Sequence, residues 1–458
     1  KSLLASLKIL RYGWKMLHTK RINTLELDRE IVTDWQRRLP QILTSTDEEL
    51  VEAMREIMEP AMRLFTHHLD ITGQAGGAVQ LLSTICEERL GDRSLALTLL
   101  GGIGDVDSAA PSFALWELGR MVAHNDNLTE IFDSESTDLQ SRLRHSSNAK
   151  EFVEAFDTFL TTFGSRGANE WETACETWGT NPELVLVLID RMRLANAQNS
   201  PSSRAKELAQ NRVTALERTR QELRGIGSWL FEKALRSSVL FSQARERSKT
   251  TIIDLIHVAR LITRELAQRT ANQRANAELI DLWFILETEL DDFIKNPSAF
   301  DQIITERKRV RNELSNRVPP FIFEGHIPDP NSWPLRSDIK SKQNQDLQVG
   351  QQLKGFGGCP GIAEGTAKVI TDPSDPRDLS SGDILIAPLT DPSWTPLFVP
   401  AEAVVVNVGG QMSHAVIVSR ELGMPCVVAV KDATEIIKDG TRLRVNGSTG
   451  EVTILEVP

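Results

Sequence analysis

One tyrosine, four cysteines and eight histidines are all that a chain of 458 residues holds of those types. Cys86, Cys175, Cys359 and Cys426 lie far apart and form no C-x-x-C pair, so they read as reduced core or surface thiols of a cytoplasmic protein. An excess of positive charge is also missing. Lys and Arg number 52 against 63 Asp and Glu, a net charge of −11, which argues against the basic face that nucleic-acid binding needs. No apolar run approaches the ~20 residues of a membrane span, and no secretory signal is visible. A G-x-x-x-x-G-K-[ST] loop is absent, and "GGIGD" (101–105) reads as an ordinary loop.

What is present divides into two unlike parts. Residues 1–336 carry helical patterning almost throughout. In "TIIDLIHVARLITRELAQ", Ile252, Leu255, Ile256, Ala259, Ile262 and Leu266 keep one apolar stripe, which leaves Arg260 and Arg264 on the expected solvated flank. Breaks are expected at 67–77, 101–112 and 196–205, where Gly, Pro, Ser and Asp gather. Residues 337–353 are polar and read as a flexible linker with no apolar face, joining halves that share a small, polar interface in at least one state. From 354 to 458 short β-rich runs alternate with turns, and Asn446-Gly447 and Thr449-Gly450 mark a closing hairpin. One helix interrupts them, from about Ser413 to Leu422, stopped by Gly423 and Pro425. The fold class is thus a large all-α N-terminal domain followed by a C-terminal α/β domain.

In "NVGGQMSHAVIVSRELG" a strand, a glycine turn and a helix follow one another, with His414 in the helix's first turn. Free N–H groups and the positive end of the helix dipole stabilise an anion there. A neutral imidazole in that place can attack a phosphoryl group and hold it. Gly409 and Gly410 would let the backbone approach closely. Ser413 would cap the helix or donate to the phosphate, and Arg420 would stay in solvent or reach the phosphoryl group. The bland reading is a surface histidine at a helix start.

The stretch "GGQMSHAVIVSRELGMPCVVAV" resembles the phosphohistidine signature of the PEP-utilising enzymes, and "CPGIAEGTAKVI" (359–370), "GDILIAPLTDPSWTPLF" (382–398) and "DGTRLRVNGSTGEV" (439–452) extend the resemblance over about 100 residues. Val406 and Ser419 depart from the usual pattern without touching the histidine. The resemblance implies a swivelling domain that carries phosphate on His414. A helical domain before such a C-terminal domain resembles the rifampicin phosphotransferase and phenylphosphate synthase types, and "FGSRGANEWE" (163–172), "GDVDSAAPSFALWELGR" (104–120) and "ELIDLWFILETEL" (278–290) support that grouping. No barrel is expected after Pro458, which speaks against PEP or pyruvate as substrate. In those types an ATP-grasp domain binds ATP and Mg, so an ATP-grasp partner subunit or a further domain is expected, with AMP and Pi released overall.

The helical half would then bind a small hydroxylated, aromatic acceptor, with a phenol favoured. Acceptor chemistry needs a base near the hydroxyl and a cation for the phosphoryl oxygens. Arg166 and Glu170, four residues apart, would supply both, or form a structural ion pair. His67 and His68 are candidates for the base, or a helix-end cap. No metal site is expected on the chain itself. Phosphorylation of a rifamycin-type antibiotic, or relay of phosphate to another protein, are the alternatives to a phenolic acceptor.

Overall fold

The computed structural model describes residues 11–458 except 105, 135–137, 197–199, 321–322, 338–346, 374 and 376–377. Two long helices frame the N-terminal part. Met58–Leu90 runs for 33 residues and Gly225–Asn272 for 48, and they pack against each other. Their shared core draws in the helix Thr24–Ile42: Val32, Trp35, Leu50 and Leu64 meet Ile252, Leu255, Ile262 and Leu266. A second layer is built from the helices Ala110–Ala123, Lys150–Phe163 and Glu183–Leu194, whose core centres on Trp116, Phe152, Phe156 and Trp178.

Two expectations for this half are corrected. The break at 67–77 does not exist, because the helix Met58–Leu90 passes straight through Gly73, Gly76 and Gly77. No proline interrupts that stretch, and two of the glycines make room for a neighbouring segment. A Cβ on Gly73 would meet the Tyr12 hydroxyl at 3.2 Å, and one on Gly77 the Met16 sulfur at 3.4 Å. Arg260 is not on a solvated flank. It is fully buried and donates from Nη2 to the carbonyls of Glu170 (2.7 Å) and Glu172 (3.1 Å). Its buried charge tethers the 165–172 loop to the long helix.

Among the described residues the C-terminal part holds eight strands: β1 (Gln352–Lys354), β2 (Phe356–Cys359), β3 (Ile362–Val369), β4 (Asp383–Ala387), β5 (Ala403–Val406), β6 (Cys426–Val428), β7 (Arg442–Asn446) and β8 (Glu451–Glu456). They form one sheet in the order β1-β8-β7-β3-β4-β5-β6-β2, with β3, β4, β5 and β6 parallel to their neighbours in that run. Alternation along β4 sends Leu385 and Ala387 to one face and Ile384 and Ile386 to the other. Helix His414–Leu422 crosses from β5 to β6 over the first face and ends at Gly423 with φ 69°, the left-handed stop glycine permits.

Residues 338–346 of the expected linker lie outside the described residues. Beyond them, Gln352 and Leu353 belong to β1, and Leu347 and Leu353 pack on the sheet's second core, so this end of the segment does have an apolar face. The seam between the halves is also apolar in this structure. The short helix Thr395–Phe398 contacts Ala110–Ala123 and Glu183–Leu194, and Trp394, Leu397 and Phe398 join the core of Trp116, Phe159 and Met192.

Candidate functional site

His414 is the first residue of its helix, with Ser413 as the N-cap residue. Two threonine hydroxyls bracket the ring: Thr395 Oγ1 lies 3.0 Å from Nε2 and Thr390 Oγ1 3.2 Å from Nδ1. Phe398 meets the ring edge-on at a centroid distance of 6.1 Å. The threonines come from the turn after β4, where Asp391 caps the turn 392–394 through Ser393 N (2.9 Å). One ring nitrogen keeps a lone pair while the other keeps its proton, and both are held in place.

The imidazole faces the helical half. Burial pushes its pKa well below the ordinary value, and Lys249, Arg245 and Arg166 lower it further. A ring in that setting stays neutral. Once a phosphoryl group sits on the ring, the same three cations would be the counter-charges to its oxygens.

Those cations are fixed by carboxylates. Arg166 Nη1 donates to both oxygens of Glu170 at 3.2 and 3.3 Å, and its Nη2 donates to Thr250 Oγ1 at 2.6 Å. Lys249 Nζ lies 3.0 Å from Glu170 Oε1. Arg245 pairs with Glu246, a buried carboxylate, and the cations around it outweigh burial and hold its pKa below the ordinary value. Asp107 is pushed up by burial. The Arg166–Glu170 pair is therefore an ion pair, as one reading of the sequence had it, and it lies among the groups facing His414.

The two adjacent histidines separate because neighbouring helical positions point about 100° apart. His68 is buried, with Nδ1 2.9 Å from Ser248 Oγ and its ring 6.2 Å from that of Trp171. Burial, then Arg245, lowers its pKa to about 4, with Lys249 adding to the depression and Glu246 opposing it. His67 turns away, with Nδ1 3.0 Å from each oxygen of Asp28, on a cleft lined by Ile31, Trp35 and Arg63. Only His68 joins the cluster, and neither residue ends a helix.

The mobile-domain candidates also divide. The Ser413 hydroxyl is buried and makes no cap bond and no other hydrogen bond, which leaves it available to an anion at His414. Gly409 is tightly placed, since a Cβ there would meet Val428 Cβ at 2.9 Å and Ser413 Oγ at 3.0 Å. A Cβ on Gly410 would meet nothing within 4 Å, so close approach does not explain that glycine. Arg420 is a correction. It is buried, and its guanidinium donates to Gln411 O (2.6 Å) and Gly358 O (3.3 Å). It braces the loop before His414 instead of lying in solvent or serving a phosphoryl group.

Sequence reasoning missed Lys249, Arg245, Thr390, Thr395 and Asp391. The first two sat in "ARERSKTT", which looks like a solvated helical flank. Nothing in the sequence marked them, since the burial of their polar neighbours Glu246, Ser248 and Thr251 is visible only in the structure. Among the described residues no group of three or more His, Cys, Asp or Glu gathers to hold a metal ion, and no helix is long and apolar enough to cross a membrane.

Comparison with known proteins adds two family matches. Residues 67–246 match the rifampicin phosphotransferase fourth domain, and residues 379–450 match the mobile domain of PEP-utilising enzymes. The rifampicin phosphotransferase of Streptomyces sviceus is 29% identical over 431 residues, covering 90% of this chain and 48% of the relative. That of Bacillus subtilis is 27% identical over 382 residues, covering 80% and 42%. An uncharacterized phosphotransferase of Bacillus subtilis is 24% identical over 357 residues, covering 74% and 41%. The chain thus spans about half the length of these relatives. With a phosphohistidine-type turn docked on a helical domain, and both parts matched in order along one polypeptide, the chain belongs to the family of PEP-utilising enzymes.

Proposed function

We propose that this chain is the acceptor-binding and phosphohistidine-carrying part of a phosphotransferase. The observation that carries the reading is that His414 faces Arg166, Lys249 and Arg245 of the other half. In the first step an imidazole nitrogen forms a bond to phosphorus as the bond from phosphorus to a nucleotide oxygen breaks. The nucleotide would be ATP with Mg, held by an ATP-grasp partner or domain. In the second step an acceptor hydroxyl oxygen attacks phosphorus, the N–P bond breaks, and the hydroxyl proton goes to a base. His68 suits that role: it is neutral, and a phosphoryl group at His414 would offset Arg245 and Lys249, which depress its basicity.

The acceptor we favour is an aromatic hydroxyl compound with a large apolar body. Met58, Met62, Phe65 and Leu69 are exposed along one face of their helix, and Phe65 meets Trp171 edge-on at 6.1 Å. Trp171 in turn neighbours His68. At ~1.5 Å per residue this stripe runs for about 16 Å, longer than a simple phenol. A rifamycin-type acceptor fits that length and accords with the relatives' names, while a phenol fills only the end beside Trp171. The test supplies the chain with ATP, Mg and an ATP-grasp protein, then offers phenol, cresol and rifampicin in turn. Phosphate on His414 that passes to one of them supports the reading. Phosphate that never reaches any hydroxyl, but moves to a protein, would favour a phosphocarrier.

A further inference from the structure

The contacts that hold His414 against the helical half include a set that none of the chemistry above requires. Gly101–Gly104 forms a loop in which Gly102 and Gly104 have φ of 56° and 69°, and three successive N–H groups point at the last turn of the helix His414–Leu422. Gly102 N donates to Arg420 O (3.2 Å), Ile103 N to Glu421 Oε1 (3.3 Å) and Gly104 N to Glu421 Oε2 (3.2 Å). At the other side of the site Asn169 N, in the loop that carries Arg166 and Glu170, donates to Asp391 Oδ2 at 3.0 Å. Asp391 directly follows Thr390, which holds the imidazole. Glu421 and Asp391 of the mobile domain thus both bind backbone of the helical half, one at each end of the histidine's surroundings.

We infer that Glu421 and Asp391 are positioning residues, a pair of latches that hold the mobile domain in the acceptor-facing position. The inference rests on the proposed function only for the word acceptor; the docking itself is independent of any chemistry. Glu421 can let go, because among the described residues its carboxylate is hydrogen-bonded by the Ile103 and Gly104 N–H groups alone. It borders an open cavity of about 500 Å³ lined by Val106, Ala109, Phe113 and Ala209, so water can replace the loop.

The latch is also coupled to protons. Burial in the docked state pushes Glu421 up to about 7, against the two N–H donors, Arg420 and Arg212, which pull it down. Lys206 and Asp107 line the same cavity, and Glu246 borders the smaller gap beyond it. Burial raises Asp391 too, with Glu170 adding to the rise. A group whose pKa is higher docked than free favours docking at low pH and loses that contribution as pH rises through the docked value. For Glu421 the loss is centred near pH 7. His414 opposes it, but only below its ordinary value of 6.5, where a free ring takes up a proton that the docked ring refuses.

Spin labels on Lys150→Cys and Lys354→Cys, in a Cys175→Ser background, report the distance between the halves without ATP or acceptor. The expected result is a narrow docked population in the parent protein that grows as pH falls from 8 to 6.5. Glu421→Ala should lower the ratio of docked to free molecules about tenfold, the scale for losing bonds to a charged acceptor. Glu421→Gln keeps an acceptor oxygen, so it should dock as well as the parent and lose the pH response; Asp391→Asn should likewise dock where Asp391→Ala does not. Helix content by circular dichroism checks that each variant folds. An unchanged distance distribution in folded Glu421→Ala would overturn the inference. So would a Gln variant that undocks as the Ala variant does. Failure of phosphate transfer with normal distances would count against the proposed function and leave the latch standing.

Discussion

The two surfaces that meet at His414 could hardly differ more in chemistry. On the mobile-domain side the ring is met by Thr390, Thr395 and Phe398, and not one formal charge touches it. On the helical side the charges that act on it are those of Lys249, Arg245 and Arg166, each tied to a carboxylate. Under the proposed function the difference divides the labour. A carrier must hold its ring neutral and oriented wherever it travels, so its own surroundings are uncharged hydroxyls. The charge that recognises a phosphoryl group belongs where the transfer ends, so it stays on the other body. The sharpest break of this comparison removes the traveller: His414→Ala should take up no acid-labile, base-stable phosphate and reduce acceptor phosphorylation to background. Normal turnover in that variant would refute the carrier role.

The next break removes charge from one side alone. Lys249→Ala and Arg166→Ala should each slow transfer to the acceptor by about 10²–10³-fold, the scale for deleting one preorganised electrostatic partner. Phosphorylation of His414 by the nucleotide protein should stay near the parent rate. Arg166→Ala leaves Glu170 buried with Lys249 as its remaining cation, so it should also lower thermal stability more than Lys249→Ala. Equal loss of both half-reactions would mean that these cations serve the fold and not the transfer. Rapid-quench measurement of the two steps separates the cases.

How much of this could be read beforehand followed from how local the physics is. His414 was legible because glycine turn, cap residue and helix start are contiguous, and β7–β8 because Asn446-Gly447 sets a hairpin within a few residues. The cation cluster was not. Lys249 and Arg166 are far apart in sequence and acquire meaning only when the long helix brings Thr250 to Arg166 Nη2. Arg260 shows the same limit, since helical periodicity placed it on a flank but could not foresee that the 165–172 loop would cover that flank. The 67–77 stretch failed for a related reason. Its glycines signal a break locally, while the packing of Tyr12 and Met16 against Gly73 and Gly77 uses them inside a helix.

A gentler test of the two surfaces is pH. Docked His414 is held down first by burial and then by Lys249, Arg245 and Arg166. Its neutral form should therefore persist below the ordinary imidazole value of 6.5, and the ring of the docked, unphosphorylated protein should titrate below that pH when followed by NMR. In Lys249→Ala that titration should move up without reaching the ordinary value, because burial remains. For folding, the sign is that of a depressed histidine. The unfolded chain binds protons that the native His68 and His257, each pushed down to about 4 chiefly by burial, do not. Their contribution to stability is present above ~6.5 and fades as pH falls towards 4, so Tm should drop across that interval. A flat Tm there would contradict the buried, neutral rings.

The smallest expected effect probes the uncharged side. Thr395 is fully buried, and its hydroxyl holds Nε2 at 3.0 Å. Thr395→Val keeps the shape and removes one neutral hydrogen bond, worth about 0.5–1.5 kcal/mol, so both phosphorylation of His414 and transfer from it should slow by about tenfold at most. Thr390 still holds Nδ1 at 3.2 Å, and the edge of the ring still rests on Phe398, which is why the ring should not be lost from its place. Thr395→Ser returns the hydroxyl with one methyl less and should recover most of the rate. The acceptor KM should not move in either variant, because Thr395 belongs to the carrier and has no charge to offer the acceptor. A Val variant that transfers as fast as the parent would mean that packing alone orients the imidazole. A change in KM would mean that the hydroxyl reaches across the seam, and the division between an uncharged carrier and a charged destination would then have to be redrawn at this residue.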